Sequence, residues 1–329
     1  MKKFVMCLLM SVFAFSFTGC TEEPKETIVL KLAETYSKDH ITTQADYEFA
    51  KLVEEKSNGA IRVEVHTDGE LGTETDALNK VFKGEIDLAR VNVSSVDNSE
   101  VAGKIELPYL YKDKGHMWRS VEMLLGPALD GEIIRNDGKI IAYLDAGERN
   151  LYTKNPVETA EDLKGLRIRT IETSALSSDY FSMLGANITP MESNDVLTAL
   201  ESNNIDGAEN DIISYYNSGH YKQAKNVLKM KYRQVPDLLV MTRSLYDKLS
   251  DSEQDIIMAA ANEAALNQRE KWEKTEAEIE NKLKAEGCNF IEPSKEFLDE
   301  LQQMAEFVYR QVPRGEEEVT LLEQVRGMR

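Results

Sequence analysis

Cysteine is nearly absent from this chain: 329 residues hold three, Cys7, Cys20 and Cys288. So few and so widely spaced, they cannot form a disulfide framework. Cys288 sits in a polar stretch and reads as an inert thiol. Histidine is almost as scarce. His40, His66, His116 and His220 are scattered, without the spacings that hold zinc, so neither a metal nor a catalytic zinc centre is expected. A Gly-x-Ser-x-Gly elbow and a phosphate loop are both missing, so no enzyme activity and no cofactor are called for. Positive charge is short too. Lysine and arginine number 39 against 58 acids, a net charge of −19, which argues against nucleic acid or another polyanion as partner. After residue 17 there is no apolar run long enough to span a membrane.

The first residues are of a different kind. Met1-Lys2-Lys3 precedes fourteen apolar or small residues, 4–17, too few for a spanning helix of about twenty. The pattern is that of an export signal over residues 1–19. Phe17-Thr18-Gly19-Cys20 resembles a bacterial lipobox, with Phe17 where an aliphatic residue is usual. That resemblance implies lipidation of Cys20, a polar tether over 20–27, and a product anchored by lipid on the outer face of the cell membrane or held in the periplasm. Loss of Lys2 and Lys3 with the signal moves the net charge from −19 to −21.

The remaining chain alternates between two periods. Residues 28–33, 61–65 and 86–91 read as strands. Thr42–Lys56 is a helix ended by Ser57-Asn58-Gly59, and a second helix starts at Thr73 and ends at Gly84. A Pro-marked loop and an amphipathic helix occupy 107–126. Two short strands, 139–143 and 151–153, flank the turn-like Asp145-Ala-Gly-Glu. A helix near 174–184, a strand at 187–190, a helix capped by Ser193 and a strand at 205–210 repeat the earlier order. Strands alternating with helices imply α/β layers around a largely parallel sheet. From Ser252 to Glu286 there is neither Pro nor Gly, so one long helix is expected, followed by another over 294–311. Residues 313–329 read as a frayed polar tail.

Arg149 and Arg169 stand at strand ends, as do Asn92 and Asn210. In open α/β sheets ligands sit beyond such ends. A guanidinium is suited to gripping a carboxylate with two parallel hydrogen bonds, although surface ion pairing is the commoner role of an arginine.

An ordered set of motifs then adds a family. Ala50-Lys-Leu-Val-Glu-Glu-Lys-Ser-Asn-Gly59, Gly69-Glu-Leu-Gly72, Leu107-Pro-Tyr-Leu110, Glu161-Asp-Leu-Lys-Gly-Leu-Arg-Ile-Arg169, Leu184-Gly-Ala-Asn-Ile-Thr-Pro-Met191 and Ile205-Asp-Gly-Ala-Glu-Asn210 run in order across residues 28–292. Together they resemble the DctP-type solute-binding proteins of tripartite ATP-independent periplasmic (TRAP) transporters. The resemblance implies a two-lobed α/β flytrap fold with mixed sheets, crossing strands and a long C-terminal helix. The lobes are expected at 28–146 plus 237–276 and at 147–236 plus 277–312. It implies capture of a small organic or sugar acid, such as glucuronate or galacturonate, for membrane permease subunits. Arg169 matches the position that grips the ligand carboxylate, Arg149 a second ligand arginine, and Asn210 a contacting amide. Glu74 and Asn92 match first-lobe polar contacts, and His40 and Asp211 complete the expected set. Asp211 replaces an asparagine usual in the uronate-binding members, and Ser193 replaces an aromatic expected near Met191. A ligand-sensing ectodomain and a secreted enzyme acting on acidic carbohydrate are the alternative readings.

Overall fold

A computed structural model describes residues 27–97, 99–171, 174–311 and 316–328; the export signal and tether expected from the sequence, with Cys20, fall on residues before Thr27, outside the described residues. In the first third the sequence signals act as anticipated. Strand β1 (Ile28–Ala33), helix α1 (Ile41–Lys56), strand β2 (Ile61–His66), helix α2 (Glu74–Phe82) and strand β3 (Leu88–Asn92) follow one another. Helix α1 leaves through Asn58 at φ 50° and Gly59 at φ 80°. Thr73 caps α2 in a reciprocal box with Asp76, satisfying two otherwise orphan amides. Strand β1 pairs in parallel with both β2 and β3, the arrangement that helical crossovers permit. Three short helices follow: α3 (Glu100–Ile105), α4 (Lys114–Ser120) and α5 (Gly126–Arg135). They bring Ile105, Leu129 and Ile133 into one core with Val91, Leu238 and Val240.

The expected pair of short strands, 139–143 and 151–153, is a single strand, β4 (Gly138–Thr153). Its turn-like centre is a bulge. Asp145 lies opposite Pro236 and Glu148 opposite Gln234 of β8 (Asn226–Thr242), so β4 accommodates one extra residue there. Gly147 makes this possible: its φ is +74°, and a Cβ would lie 2.8 Å from Trp272 and 2.9 Å from Asp211. Pro236 is tolerated within β8 because it lies just past the β3 ladder, which begins at Asp237.

The second lobe repeats the strand–helix order with β5 (Arg167–Thr170), α6 (Ala175–Met183), β6 (Asn187–Pro190), α7 (Val196–Glu201), β7 (Gly207–Asn210) and α8 (Ile212–Asn217). Helix α7 begins at Val196 rather than after a Ser193 cap, because a short 3-10 turn takes Ser193–Asp195. Beyond β8 come α9 (Arg243–Tyr246), α10 (Asp251–Ala285), β9 (Asn289–Ile291), α11 (Lys295–Gln311) and α12 (Glu316–Gly327). Strands of both lobes belong to one mixed sheet, ordered β2-β1-β3-β8-β4-β7-β5-β6, with β9 beside β8. The crossing strands β4 and β8 therefore carry the sheet from one lobe into the other.

Helix α10 braces both lobes. Ala260, Ala261 and Ala264 pack in the core with Leu30 and Ile61, whereas Trp272, Ile279 and Leu283 pack with Tyr152 and Ile212. Helix α11 closes the second lobe through Phe297, Leu301 and Val308 beside Tyr180 and Phe181. The polar tail expected from residue 313 is instead helical over Glu316–Gly327. Leu322 and Val325 are buried in the first lobe's core, each worth about 1.5–3 kcal/mol of apolar burial. Its short apolar stripe is masked in the sequence by the acids around it.

Candidate functional site

A cavity of about 560 Å³ opens between the two lobes, within the span of small-molecule sites, and the ends of β3, β5 and β7 point residues into it. Six of the seven residues expected there line it: His40, Glu74, Asn92, Arg149, Arg169 and Asn210.

Arg169, on β5, is 3 % exposed. Its Nε and Nη2 donate to the Met191 carbonyl at 2.9 and 2.7 Å. Among the described residues no carboxylate lies within ion-pairing distance of it. Burial accordingly pulls its pKa below the ordinary arginine value. The Met191 bonds use one side of the fork and leave Nη1 for an incoming acceptor.

Arg149, on β4, is differently placed. Its Nη1 donates to Asn210 Oδ1 and lies 4.0 Å from Asp211 Oδ2. Burial opposes its charge, but the fields of Glu209 and Asp211 outweigh that and hold the pKa above its usual value. Asn210 Oδ1 also accepts from the Asp211 amide at 2.9 Å, which fixes the amide plane. A third arginine, Arg233 on β8, also lines the cavity but is neutralised by Glu106 and, at 3.5 Å, by Glu209.

Asp211 corrects the expectation. It is 1 % exposed and does not line the cavity. Its Oδ1 accepts from the Ser214 amide at 2.8 Å and so caps α8, a position that favours aspartate and asparagine alike. Its other oxygen serves Arg149 from behind. Burial raises its pKa against the pull of Arg149 and Ser214.

On the first lobe, Glu74 lines the cavity with its hydrogen-bonding capacity already taken. Oε1 accepts from Arg90 Nη1 and from Thr35 Oγ1 at 3.2 Å, and Oε2 from the Asn92 amide at 2.9 Å and Ser95 Oγ at 2.7 Å. Burial alone would raise its pKa; Arg90 and these donors reverse that and lower it. Asn92 is committed as well: Oδ1 accepts from the Ser94 amide at 3.1 Å, and Nδ2 donates to Asp237 at 2.8 Å. His40 caps α1 by accepting the Thr42 amide at Nδ1, 3.2 Å away, so Nε2 carries the proton and faces Ser214 Oγ at 3.4 Å in the other lobe. Burial first, and then Arg90, push its pKa down to about 3, which keeps the ring neutral.

Sequence reasoning missed Arg90, fully buried between Glu34, Glu74 and Asp237. The only signal was a charged residue at the centre of an apolar strand. Glu209, buried beside three arginines, was also missed.

A two-lobed α/β fold, a cleft at the carboxyl ends of its strands and a buried arginine facing that cleft define the class of protein as a solute-binding protein. The model of the bacterial extracellular solute-binding protein family 7, DctP, matches residues 32–315, and the chain belongs to that family. The 2,3-diketo-L-gulonate-binding periplasmic protein of Escherichia coli is 27 % identical over 84 % of this chain and 86 % of its own length. Two crystal structures of TRAP periplasmic solute-binding proteins are also similar. One, from Xanthobacter autotrophicus with bound β-D-galacturonate, has a TM-score of 0.86 and 27 % identity, covering 91 % of this chain and all of that one. The other, from Roseobacter denitrificans with bound β-D-glucuronate, has a TM-score of 0.87 and 25 % identity, covering 92 % of this chain and all of that one.

Proposed function

We propose that this protein captures a sugar acid of the uronate class outside the cytoplasm and delivers it to the membrane permease of a TRAP transporter. The observation that carries the reading is Arg169: a buried guanidinium facing the cleft, with no ion-paired carboxylate among the described residues. A ligand carboxylate supplies a direct ion pair through short, charge-assisted hydrogen bonds in a desolvated site. Arg149 and the oriented amide of Asn210 complete the grip, and Glu74, Asn92 and His40 shape the opposite wall. The uronates bound by the similar structures support this ligand class. In a chain of net charge −19, affinity for an anion comes from this local contact rather than from long-range steering.

Ligand bridging both lobes favours the closed state by its differential affinity for it. The division at 28–146 plus 237–276 and 147–236 plus 277–312 belongs to this reading, supported by the bulge at Asp145–Glu148. So does lipidation at Cys20, supported by the residues before it.

Calorimetric titration against glucuronate, galacturonate, aldonates, sialic acid and C4-dicarboxylates tests the proposal. Binding of a sugar acid that Arg169→Ala abolishes is the expected result. Selective binding of a ligand without a carboxylate would overturn it.

A further inference from the structure

The first-lobe wall poses a problem for recognition. Glu74, Asn92 and Arg90 are all engaged with protein partners, so the polar groups nearest the cleft have little left to offer a ligand. Tyr36 is differently placed. It lines the cavity, in the loop between β1 and α1.

Everything about Tyr36 except its hydroxyl is fixed. Its amide donates to Glu34 Oε1 at 2.7 Å, and its carbonyl accepts from the Asp68 amide at 3.0 Å. The His40 ring stacks on it, centroids 4.0 Å apart and planes 22° from parallel. The Arg90 guanidinium, itself fully buried, lies 4.2 Å from the ring centroid in a cation–π contact. Two groups this close to one centroid fit only on opposite faces, so the ring is clamped and neither face is open to stack on a sugar. Glu34, in turn, holds Arg90 through Nε at 2.8 Å. Among the described residues, the Tyr36 hydroxyl has no hydrogen-bond partner. The charges that act on it come from both sides of the cleft: Arg90, Glu74 and Asp237 from the first lobe, Arg149 and Asp211 from the second.

Resting on the uronate-capture reading, we propose that Tyr36 is a specificity-determining residue, whose hydroxyl exchanges a hydrogen bond with a sugar hydroxyl remote from the carboxylate held by Arg169. Burial, followed by the field of Asp237, raises the phenol's pKa above its ordinary value, so the group stays a neutral O–H that can both donate and accept. Because ring and backbone are already immobilised, little ordering entropy opposes the contact. A ligand lacking that hydroxyl would leave the phenol's hydrogen-bonding capacity unused in a largely buried site, which is how polar recognition discriminates.

The test is Tyr36→Phe, which keeps the clamped ring and removes one oxygen. Wild type and variant are titrated calorimetrically with glucuronate, galacturonate and their singly deoxygenated analogues, with thermal unfolding as a control for the fold. The expected result is an unchanged midpoint and about tenfold weaker binding of the parent uronate, the size of one hydrogen bond. For the single analogue that lacks the partner hydroxyl, the two proteins should bind equally. Unchanged affinity for every ligand, or an equal loss for every analogue, overturns the role of Tyr36 while leaving uronate capture standing. Failure of wild type to bind any sugar acid overturns both.

Discussion

The guanidinium of Arg149 donates to the side-chain oxygen of Asn210, whose same oxygen takes the Asp211 amide. Strands β4 and β7 pair Asn150 with Asn210 and so hold the two elements in register. With both donors on the oxygen, the amide nitrogen of Asn210 is the end left for a ligand. Asn210→Asp, nearly isosteric, replaces that donor with a negative acceptor beside the arginines. It should retain the fold and weaken binding of an acidic ligand by at least 100-fold, read by calorimetry. Retained affinity would remove Asn210 from the grip.

Arg169 makes a prediction in which stability and function part. Burial outweighs the fields of Glu209 and Glu192 at this guanidinium, so its charge is a burden to the empty protein, and among the described residues its hydrogen bonds go to one carbonyl. Arg169→Met keeps most of the volume and removes the charge. Urea denaturation of the empty variant should show stability equal to wild type or about 1 kcal/mol higher, while binding of the acid disappears. A variant that binds normally, or one destabilised by several kcal/mol, would contradict this account of Arg169.

His40 gives a pH dependence whose sign is fixed. Its pKa is about 3 in the folded protein and about 6.5 in an unfolded chain. Above pH ~6.5 both states are neutral and the group contributes full stability. As pH falls below that value the unfolded chain takes up a proton that the folded ring refuses, and stability declines by about 1.4 kcal/mol per pH unit toward pH ~3. Against His40→Gln, which does not titrate, the wild type should therefore lose about 2 kcal/mol between pH 7 and pH 5. Parallel stability curves for the two proteins over that range would refute the assignment of a neutral, buried His40.

The last helix is open to a simple check. Val325 has no exposed surface, and its carbonyl accepts from His116 Nε2 at 2.8 Å. Val325→Asp puts a charge into that core and should cost about 3 kcal/mol or more, seen as a lowered unfolding midpoint. An unchanged midpoint would mean that the tail does not dock.

Much of this architecture was legible in the sequence where local chemistry decided it. Thr73 and Ser57-Asn58-Gly59 marked helix ends because capping is settled by adjacent residues, and α10 was legible because a run of strong helix formers needs no tertiary help. The continuity of β4 was not legible, because a bulge and a turn share the same Asp-Ala-Gly-Glu chemistry and only the partner strand tells them apart. Strand β8 was hidden by Pro236 and by Lys229, Lys231 and Arg233, whose charges are met by residues distant in sequence. In the site, Arg149, Arg169 and Asn210 stood out as polar groups at strand ends. What separated Asp211 from them was which side of the chain faced the cleft, and that depends on a helix cap three residues deep.

The strand order has a kinetic consequence. Strand β3 finds its second neighbour only in β8, about 150 residues later, and α12 returns to the first lobe from the end of the chain. The N-terminal lobe cannot finish its sheet while the last third of the chain is still to be made. Non-local pairing of this kind folds slowly and leaves strand edges open meanwhile. The crossing strands that unite the lobes thus make the protein all-or-none in time: it waits for its last third before it owns a first.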